Sequence, residues 1–269
     1  MSIPKVIRGG LLLAFAGSVL LLERRRRARG YVESPSVHAA RNLAIAGMAA
    51  ATVHLFEAPV VVPLARAVTR RRWGLMPMVK APAWARDLIA IVLLDYTLYW
   101  WHILTHRTPW LWRFHLVHHI DLDLDASTGL RFHAGEIAAS IPWRAAQVLA
   151  IGASPRALTI WQSLTIASVL FHHSNTKLSP RAERLLSWIV TTPTMHAIHH
   201  SVHPAQLQSN FSSGLGIWDR LHGTARFDAE AHEVIVGVAG HLDPRDAALG
   251  RILTLPFSAR ALPPAHPDA

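Results

Sequence analysis

The apolar positions of this chain fall into long unbroken runs, not into the spaced stripe of a surface helix. Residues 9–22 carry no charge, and Glu23, Arg24, Arg25, Arg26 and Arg27 follow at once, where a leader-cleavage site would need small residues. This predicts an uncleaved first membrane helix. Residues 31–37, with Pro35 among them, read as a loop. Residues 40–65 are apolar apart from Arg41, Asn42, His54 and Glu57, and at about 1.5 Å per residue they are long enough to cross a bilayer. His54 and Glu57 lie three apart, placed either to pair inside the membrane or to pack towards neighbouring helices. Residues 66–86 form a basic, proline-containing connection, and residues 87–104 a third crossing. Two more apolar stretches, 137–151 and 158–172, are split by Gly152 and Pro155 and predict a helical hairpin that crosses or dips into the membrane. Pro142, Arg144 and Gln147 argue against a clean crossing by its first arm.

Elsewhere the pattern is polar. Asp121, Leu122, Asp123, Leu124 and Asp125 alternate and read as a loop that lacks the glycine and distal glutamate of an EF-hand. An amphipathic helix is expected over residues 181–190, then a new turn at Pro193 and a helix carrying residues 196–200. No run of membrane length follows residue 211, and the proline-rich end reads as a loose tail. The pattern as a whole predicts an all-α membrane protein with about four transmembrane or membrane-dipping helices and a helical, histidine-rich cap. Its expected divisions are N-terminal membrane helices (1–86), a central region that holds the chemistry (87–224) and a soluble C-terminal tail (225–269).

Composition narrows the chemistry. The chain is 51% hydrophobic and only 16% charged, too apolar for an ordinary soluble enzyme. It has no cysteine, which excludes disulfides and thiolate metal sites and leaves nitrogen and oxygen as ligands. The net charge of +10 sits largely in short arginine runs beside apolar segments, where such runs act as topology signals or lipid-headgroup contacts. No nucleic-acid-binding motif accompanies the charge, so no nucleic-acid partner is expected.

Twelve of the 18 histidines lie between His102 and His203, and they are clustered. His102 and His106 form HxxxH; His115, His118 and His119 form HxxHH; His196, His199 and His200 repeat it; His172 and His173 are adjacent. Residues three and four apart share a helix face, so each motif aims two or three imidazoles the same way. A lone histidine is usually a satisfied core residue, but several packed imidazoles have no stability rationale unless a metal accepts their lone pairs. The zinc-protease motif HExxH and the nucleophile elbow GxSxG are both absent. A histidine-rich membrane metal-binding or transport protein without oxygenase activity is the alternative reading. Transporter ligands, however, sit near the bilayer midplane on broken helices.

These motifs, in this order, resemble the fatty acid hydroxylase superfamily, which includes sterol desaturases and sterol methyl oxidases. The resemblance runs over residues 95–224. Asp95, Tyr99, Trp100, Trp101 and His102 are similar to the family's D…YW-HR stretch, with Ile103 where arginine is usual. Arg131, His133 and Glu136 are similar to RxHPxE, with Ala134 in place of proline, and Phe171, His173, Ser174 and Asn175 match FxHSN. Thr192, Pro193, His196, His199, His200 and Ser201 match TPxxHxxHHS. Asn210 and the stretch from Trp218 to Thr224 resemble NYG…WDRLFGT, with Phe211, Ser212 and His222 where tyrosine, glycine and phenylalanine are usual.

The resemblance implies a membrane enzyme that uses two iron ions, O₂ and an external electron-transfer protein to hydroxylate or desaturate a C–H bond of a membrane lipid, such as a sterol or fatty acyl chain. It implies His102, His106, His115, His118, His119, His173, His196, His199 and His200 as ligands, His133 as a tenth, and His172 as a neighbour of a ligand. It further implies that Asp95, Glu136, Asn210 and Asp219 orient imidazoles. The Arg24–Arg27 run and Arg29 favour the cytoplasm for the first loop and so for the histidines, in a multi-pass protein. Residues 66–86 then lie outside, against the charge rule, unless the second segment only dips into the bilayer.

Overall fold

In the computed structural model, which describes residues 5–261, the chain is helical, with no strand among the described residues. Helix α1 spans Lys5–Arg25, and the arginines after it strap onto the far end of the sequence's hairpin. The Ala28 amide donates to the Asn175 carbonyl (2.9 Å) and the Lys177 amide to that of Arg26 (2.6 Å). Helix α2 (Pro35–Thr52) runs through a π turn at Val53–Glu57 straight into α3 (Ala58–Arg71). Pro59 has no N–H to give the Leu55 carbonyl, so the chain widens and the Ala58 amide reaches back to Val53 instead. In this turn Glu57 is buried and His54 is exposed, so the two do not pair.

Helix α4 (Ala83–Arg107) is 25 residues long, about 37 Å at the usual rise. The hairpin follows as α6 (Ala134–Ile151) and α7 (Pro155–His173), turning at Gly152, whose φ of 77° favours glycine. Ser154 caps α7 by accepting from the Ala157 amide (3.0 Å), and Pro155 supplies the preset first turn. Both arms are regular helices despite Pro142. Gln147, on the first arm, turns inward to α4 and donates to Thr97 Oγ1 (2.6 Å). The bundle core joins Leu94, Leu98 and Trp101 of α4 to Val148, Ile151, Leu158 and Trp161 of the hairpin.

Three segments are long and apolar enough to cross a membrane: Val6–Arg25, Pro35–Met78 and Ala83–Arg107. Leu11, Leu13, Leu43, Leu55 and Phe56 stand exposed on them, as lipid contact requires. Because the helix from Pro35 to Arg71 is continuous, it carries Arg70 and Arg71 to the end of the bundle opposite His38. That opposite end also holds the Gly152 turn, where the Leu75 amide donates to the Ala150 carbonyl (3.0 Å).

The cap is built from short helices: α5 (Pro109–His119), α8 (Pro180–Leu186), α9 (Pro193–His199), α10 (Pro204–Leu207), α11 (Ile217–Leu221) and α12 (Leu249–Thr254). Proline opens four of these, in the position where its missing N–H costs nothing. The helix expected over 181–190 ends early, at Leu186, where the Arg184 carbonyl accepts from the Ser187 hydroxyl (3.0 Å) and the Trp188 and Ile189 amides turn to the carbonyls of Leu185 and Leu186, three residues back. Residues 225–261 are packed: Ile252, Leu255 and Ala261 cover Trp112 and Leu116, and Arg113 donates to the carbonyl of Ser258 (2.7 Å). The proline-rich end expected to be a loose tail lies beyond residue 261, outside the described residues.

Candidate metal centre

The helix ends bring the histidine motifs together in two groups. His102 and His106 leave the last turns of α4, His115 and His119 leave α5, and His199 leaves α9; one nitrogen from each of these five lies within 4.8 Å of the others. His118, His173, His196 and His200 form a second such group of four. Each HxxHH motif therefore divides. On α5 the i, i+4 pair His115 and His119 serves the group of five and His118 the group of four. On α9 the i, i+4 pair His196 and His200 serves the group of four and His199 the group of five. All nine imidazoles are buried.

Backbone carbonyls aim most of them. The Nδ1–H of His102 donates to Phe211 (2.7 Å), of His199 to Ser209 (2.7 Å), of His118 to Arg131 (3.2 Å) and of His173 to Val169 (2.8 Å). His115 Nδ1 donates instead to the Glu136 carboxylate (3.0 Å). A neutral imidazole that donates from Nδ1 presents a bare lone pair at Nε2. The Nε2 atoms of His118 and His173 nevertheless lie 3.0 Å apart, and those of His173 and His196 2.9 Å apart. No proton is available between the first pair, and two lone pairs facing each other repel. A shared cation removes the repulsion. Metal–nitrogen bonds of about 2.0–2.1 Å place two ligand atoms on the order of 3 Å apart. Both nitrogens of His106, Nε2 of His199 and Nδ1 of His119, His196 and His200 are buried with no protein partner, which fits the same need.

Burial also sets the charge. It pushes His118, His119, His196 and His200 well below the ordinary histidine range and takes His199 down to about 3. These groups are neutral at pH 7, the form in which imidazole binds metal.

The remaining predicted residues scatter. His133 caps α6: its Nδ1 accepts from the Gly135 amide (2.9 Å), its Nε2–H donates to the Leu253 carbonyl (3.3 Å), and it lies in neither group. His172 is in neither group, yet its ring centroid is 4.1 Å from that of His196 and neither of its nitrogens has a partner. Of the four residues expected to orient imidazoles, Glu136 alone touches one. Asp95 accepts from the Leu215 amide (3.0 Å) and Trp218 Nε1 (2.7 Å). A Cβ at Gly214 would fall on the Asp95 carboxylate, which would have to leave its present position and these hydrogen bonds. Asp219 accepts from the amides of Phe211 (2.8 Å) and Ser212 (3.0 Å), and Asn210 donates to the carbonyls of Met195 (2.9 Å) and Arg226 (3.0 Å). These three brace the backbone whose carbonyls aim His102 and His199. At His222, where phenylalanine is usual, the ring still stacks on Tyr96 and Tyr99, and its Nε2 meets the Tyr96 hydroxyl (3.1 Å).

A second polar network was not anticipated. The loop from Asp121 to Asp125 is buried, and His38 bridges it, with Nε2 on Asp121 (2.9 Å) and Nδ1 on Asp125 (3.1 Å). Asn42 and Arg131 close on the same group; Arg131 donates to Asn42 Oδ1 (3.0 Å) and to the Val117 carbonyl (2.8 Å). Burial alone would raise the Asp121 carboxyl, but Arg131 and His38 outweigh it and hold it well below the usual range. The polar interruptions Arg41 and Asn42 in an apolar run were the available signal.

A cavity of about 140 Å³ opens between α4, α6 and α7, with His102, His118 and His172 at one end and Leu98, Trp101 and Val169 along its walls.

The fold and site are those of a helical protein with three candidate membrane spans and buried histidine clusters that could hold metal. Residues 88–224 match the model of the fatty acid hydroxylase family, just over half of the chain, and the chain belongs to that family. It is 29% identical over 146 residues to alkylglycerol monooxygenase of Xenopus tropicalis, covering 54% of this chain and 31% of that protein. It is 29% identical over 154 residues to the ornithine lipid hydroxylase OlsE of Rhizobium tropici, covering 57% and 45%. Against a cholesterol 25-hydroxylase-like protein of Danio rerio the identity is 30% over 144 residues, covering 53% and 56%. The matched region thus spans from about a third to just over half of these relatives. No solved structure matches the chain.

Proposed function

We propose that this chain is a membrane-bound oxidoreductase that hydroxylates, or desaturates, a C–H bond of a lipid with O₂ and two iron ions. The observation that carries the reading is the division of nine buried neutral imidazoles into groups of five and four. His102, His106, His115, His119 and His199 would hold one ion, and His118, His173, His196 and His200 the other. The ions would supply the one-electron chemistry that O₂ requires. In hydroxylation one oxygen atom enters the C–H bond and the other leaves as water, which takes two electrons from an external electron-transfer protein and two protons from solvent.

The chain's own residues supply the rest. Glu136 fixes the ring of His115, and the carbonyls of Phe211, Ser209, Arg131 and Val169 fix four more. The apolar cavity walls admit a lipid chain and keep water from it. The imidazoles gather at one end of the bundle and not at mid-bilayer on broken helices, which favours an oxygenase over a transporter.

The arginines after α1 lie on the histidine face, which supports a cytoplasmic orientation for it. Because the chain has no cysteine, cysteines introduced singly at Ala205 and Arg71 report the orientation cleanly. Impermeant labelling of intact cells should reach the second and not the first. Lipid mass spectrometry of cells with and without the protein tests the activity. A lipid should gain one oxygen or lose two hydrogens only when the iron-loaded protein is present; an unchanged lipid profile would defeat the reading.

A further inference from the structure

Helix α6 presents Glu136, Ser140 and Arg144 at four-residue intervals to the cavity wall below the imidazoles. Glu136 holds His115 through Oε1 and keeps Oε2 without a partner, and the Ser140 hydroxyl donates to the Ile137 carbonyl (2.8 Å). Arg144 is not spent. Its one hydrogen bond among the described residues is a long contact, 3.4 Å, to Gln147 on its own helix, and its guanidinium lies over the Trp161 ring at 4.7 Å. Glu57 and Glu136 act on its charge from a distance, but no carboxylate reaches ion-pair range. A guanidinium carries five N–H donors, so most of its capacity is free. Across the cavity the Thr165 hydroxyl is shut off from solvent with no protein partner.

Arg144 is half-buried at the cavity wall, and a cation with unspent donors that faces a largely apolar cavity between membrane helices is suited to meet an anion entering it. We propose that Arg144 reads an anionic group of the lipid substrate, a carboxylate or a phosphate ester, with Thr165 as a second donor. This assignment rests on the hydroxylase reading and narrows its substrate class. Arginine matches these anions in particular because its planar fork meets two oxygens at once. Arg144 follows Glu136 by eight residues, roughly 12 Å along the helix axis. An anion held there leaves its chain running towards the imidazoles, so the carbon presented for oxidation is several bonds from the anionic group.

The test uses the purified, iron-loaded full chain in neutral detergent, with three bromoalkyl probes of equal chain length: a carboxylic acid, a phosphate monoester and an alcohol. Trp101 lines the cavity and Trp161 lies under Arg144, so bound bromine quenches tryptophan fluorescence. The wild type should bind at least one of the two anions about 10-fold to 100-fold more tightly than the alcohol. The tighter of the two identifies the group. Arg144→Gln should bring that anion to the alcohol's affinity. Arg144→Lys, a point charge without the fork, should give an intermediate preference, and it decides the matter if Arg144→Gln fails to retain iron. Equal binding of all three probes by the wild type, or an undiminished preference in either variant, would overturn the assignment. Selective anion binding that depends on Arg144, with no lipid oxidised in cells, would leave it standing and defeat the hydroxylase reading instead.

Discussion

The nine clustered imidazoles and the charged network around Asp121 meet at Arg131, whose carbonyl accepts from His118 and whose guanidinium faces Asp121 at 3.4 Å. Both are deeply buried, and both bring together atoms that could hold a metal, since Glu33, His38 and Asp121 also converge. Their chemistry differs. His38 has both ring nitrogens tied to carboxylates, so it has no lone pair to offer, and opposite charges within the chain neutralise one another. Among the nine imidazoles there is no anion except Glu136, and several lone pairs face each other or nothing. One cluster is charge-balanced as folded, with Arg41 and Arg131 in ion-pair range of Asp121, although Asp121 Oδ1 and one nitrogen each of Arg41 and Arg131 lack a hydrogen bond. The other has no such countercharge and would be completed by cations, and the contrast separates a structural network from a candidate metal centre where residue type alone would not.

Substitution in the imidazole cluster should have the largest effect. His173→Ala should lower iron content and abolish lipid oxidation together, whereas His172→Ala should keep its iron with at most a partial loss of activity. Iron lost at His172 and kept at His173 would move the ligand set one residue along α7. Asp121→Ala should act on the other cluster, by stranding His38 and Arg131. Removing one partner of a buried ion pair costs on the order of 3–5 kcal/mol, read as a lower unfolding temperature with iron stoichiometry intact below it. Loss of iron without loss of stability would place Asp121 in the metal centre. Glu136→Gln should be milder, with metal affinity or activity reduced about 10-fold to 100-fold, because it loosens one ring and removes none. Wild-type values in this variant would show that His115 needs no carboxylate.

Acid should separate the clusters by window. Folding lowers the imidazole pKa values on α5 and α9, so below about pH 6.5 the unfolded chain takes up protons first. The iron-free protein therefore loses stability as pH falls from there towards about 3, where His199 itself titrates. Asp121 has the depressed pKa of a paired carboxylate, so its contribution holds above the ordinary carboxylate value of about 3.9 and is lost only below it. Unfolding temperatures of iron-free protein should begin to drop between pH 7 and 5; a flat response there would mean that the imidazoles are not held neutral by burial.

Much of this was legible in the sequence, because it depends on local periodicity. Apolar runs, the Gly152–Pro155 break and the i, i+3, i+4 histidine spacing each announce an element or a face without reference to the rest of the chain. What stayed hidden depends on partners distant in sequence. Every residue has a carbonyl, so nothing marks those of Phe211, Ser209, Arg131 and Val169 as the acceptors that aim the rings. The Asp121–Asp125 alternation does read as a loop, but its burial is set by His38, Asn42 and the amides of Val32 and Glu33. His133 sits in a motif beside Glu136, yet the α6 N-terminus claims its ring first. The sharing of each HxxHH between two groups follows from where α5 and α9 meet, which spacing alone does not specify.

Metal analysis of the purified, iron-loaded protein tests the two-group arrangement most directly. Close to two iron ions per chain are expected, one for the group of five imidazoles and one for the group of four. A preparation that is fully active with one ion, or with none, would contradict it.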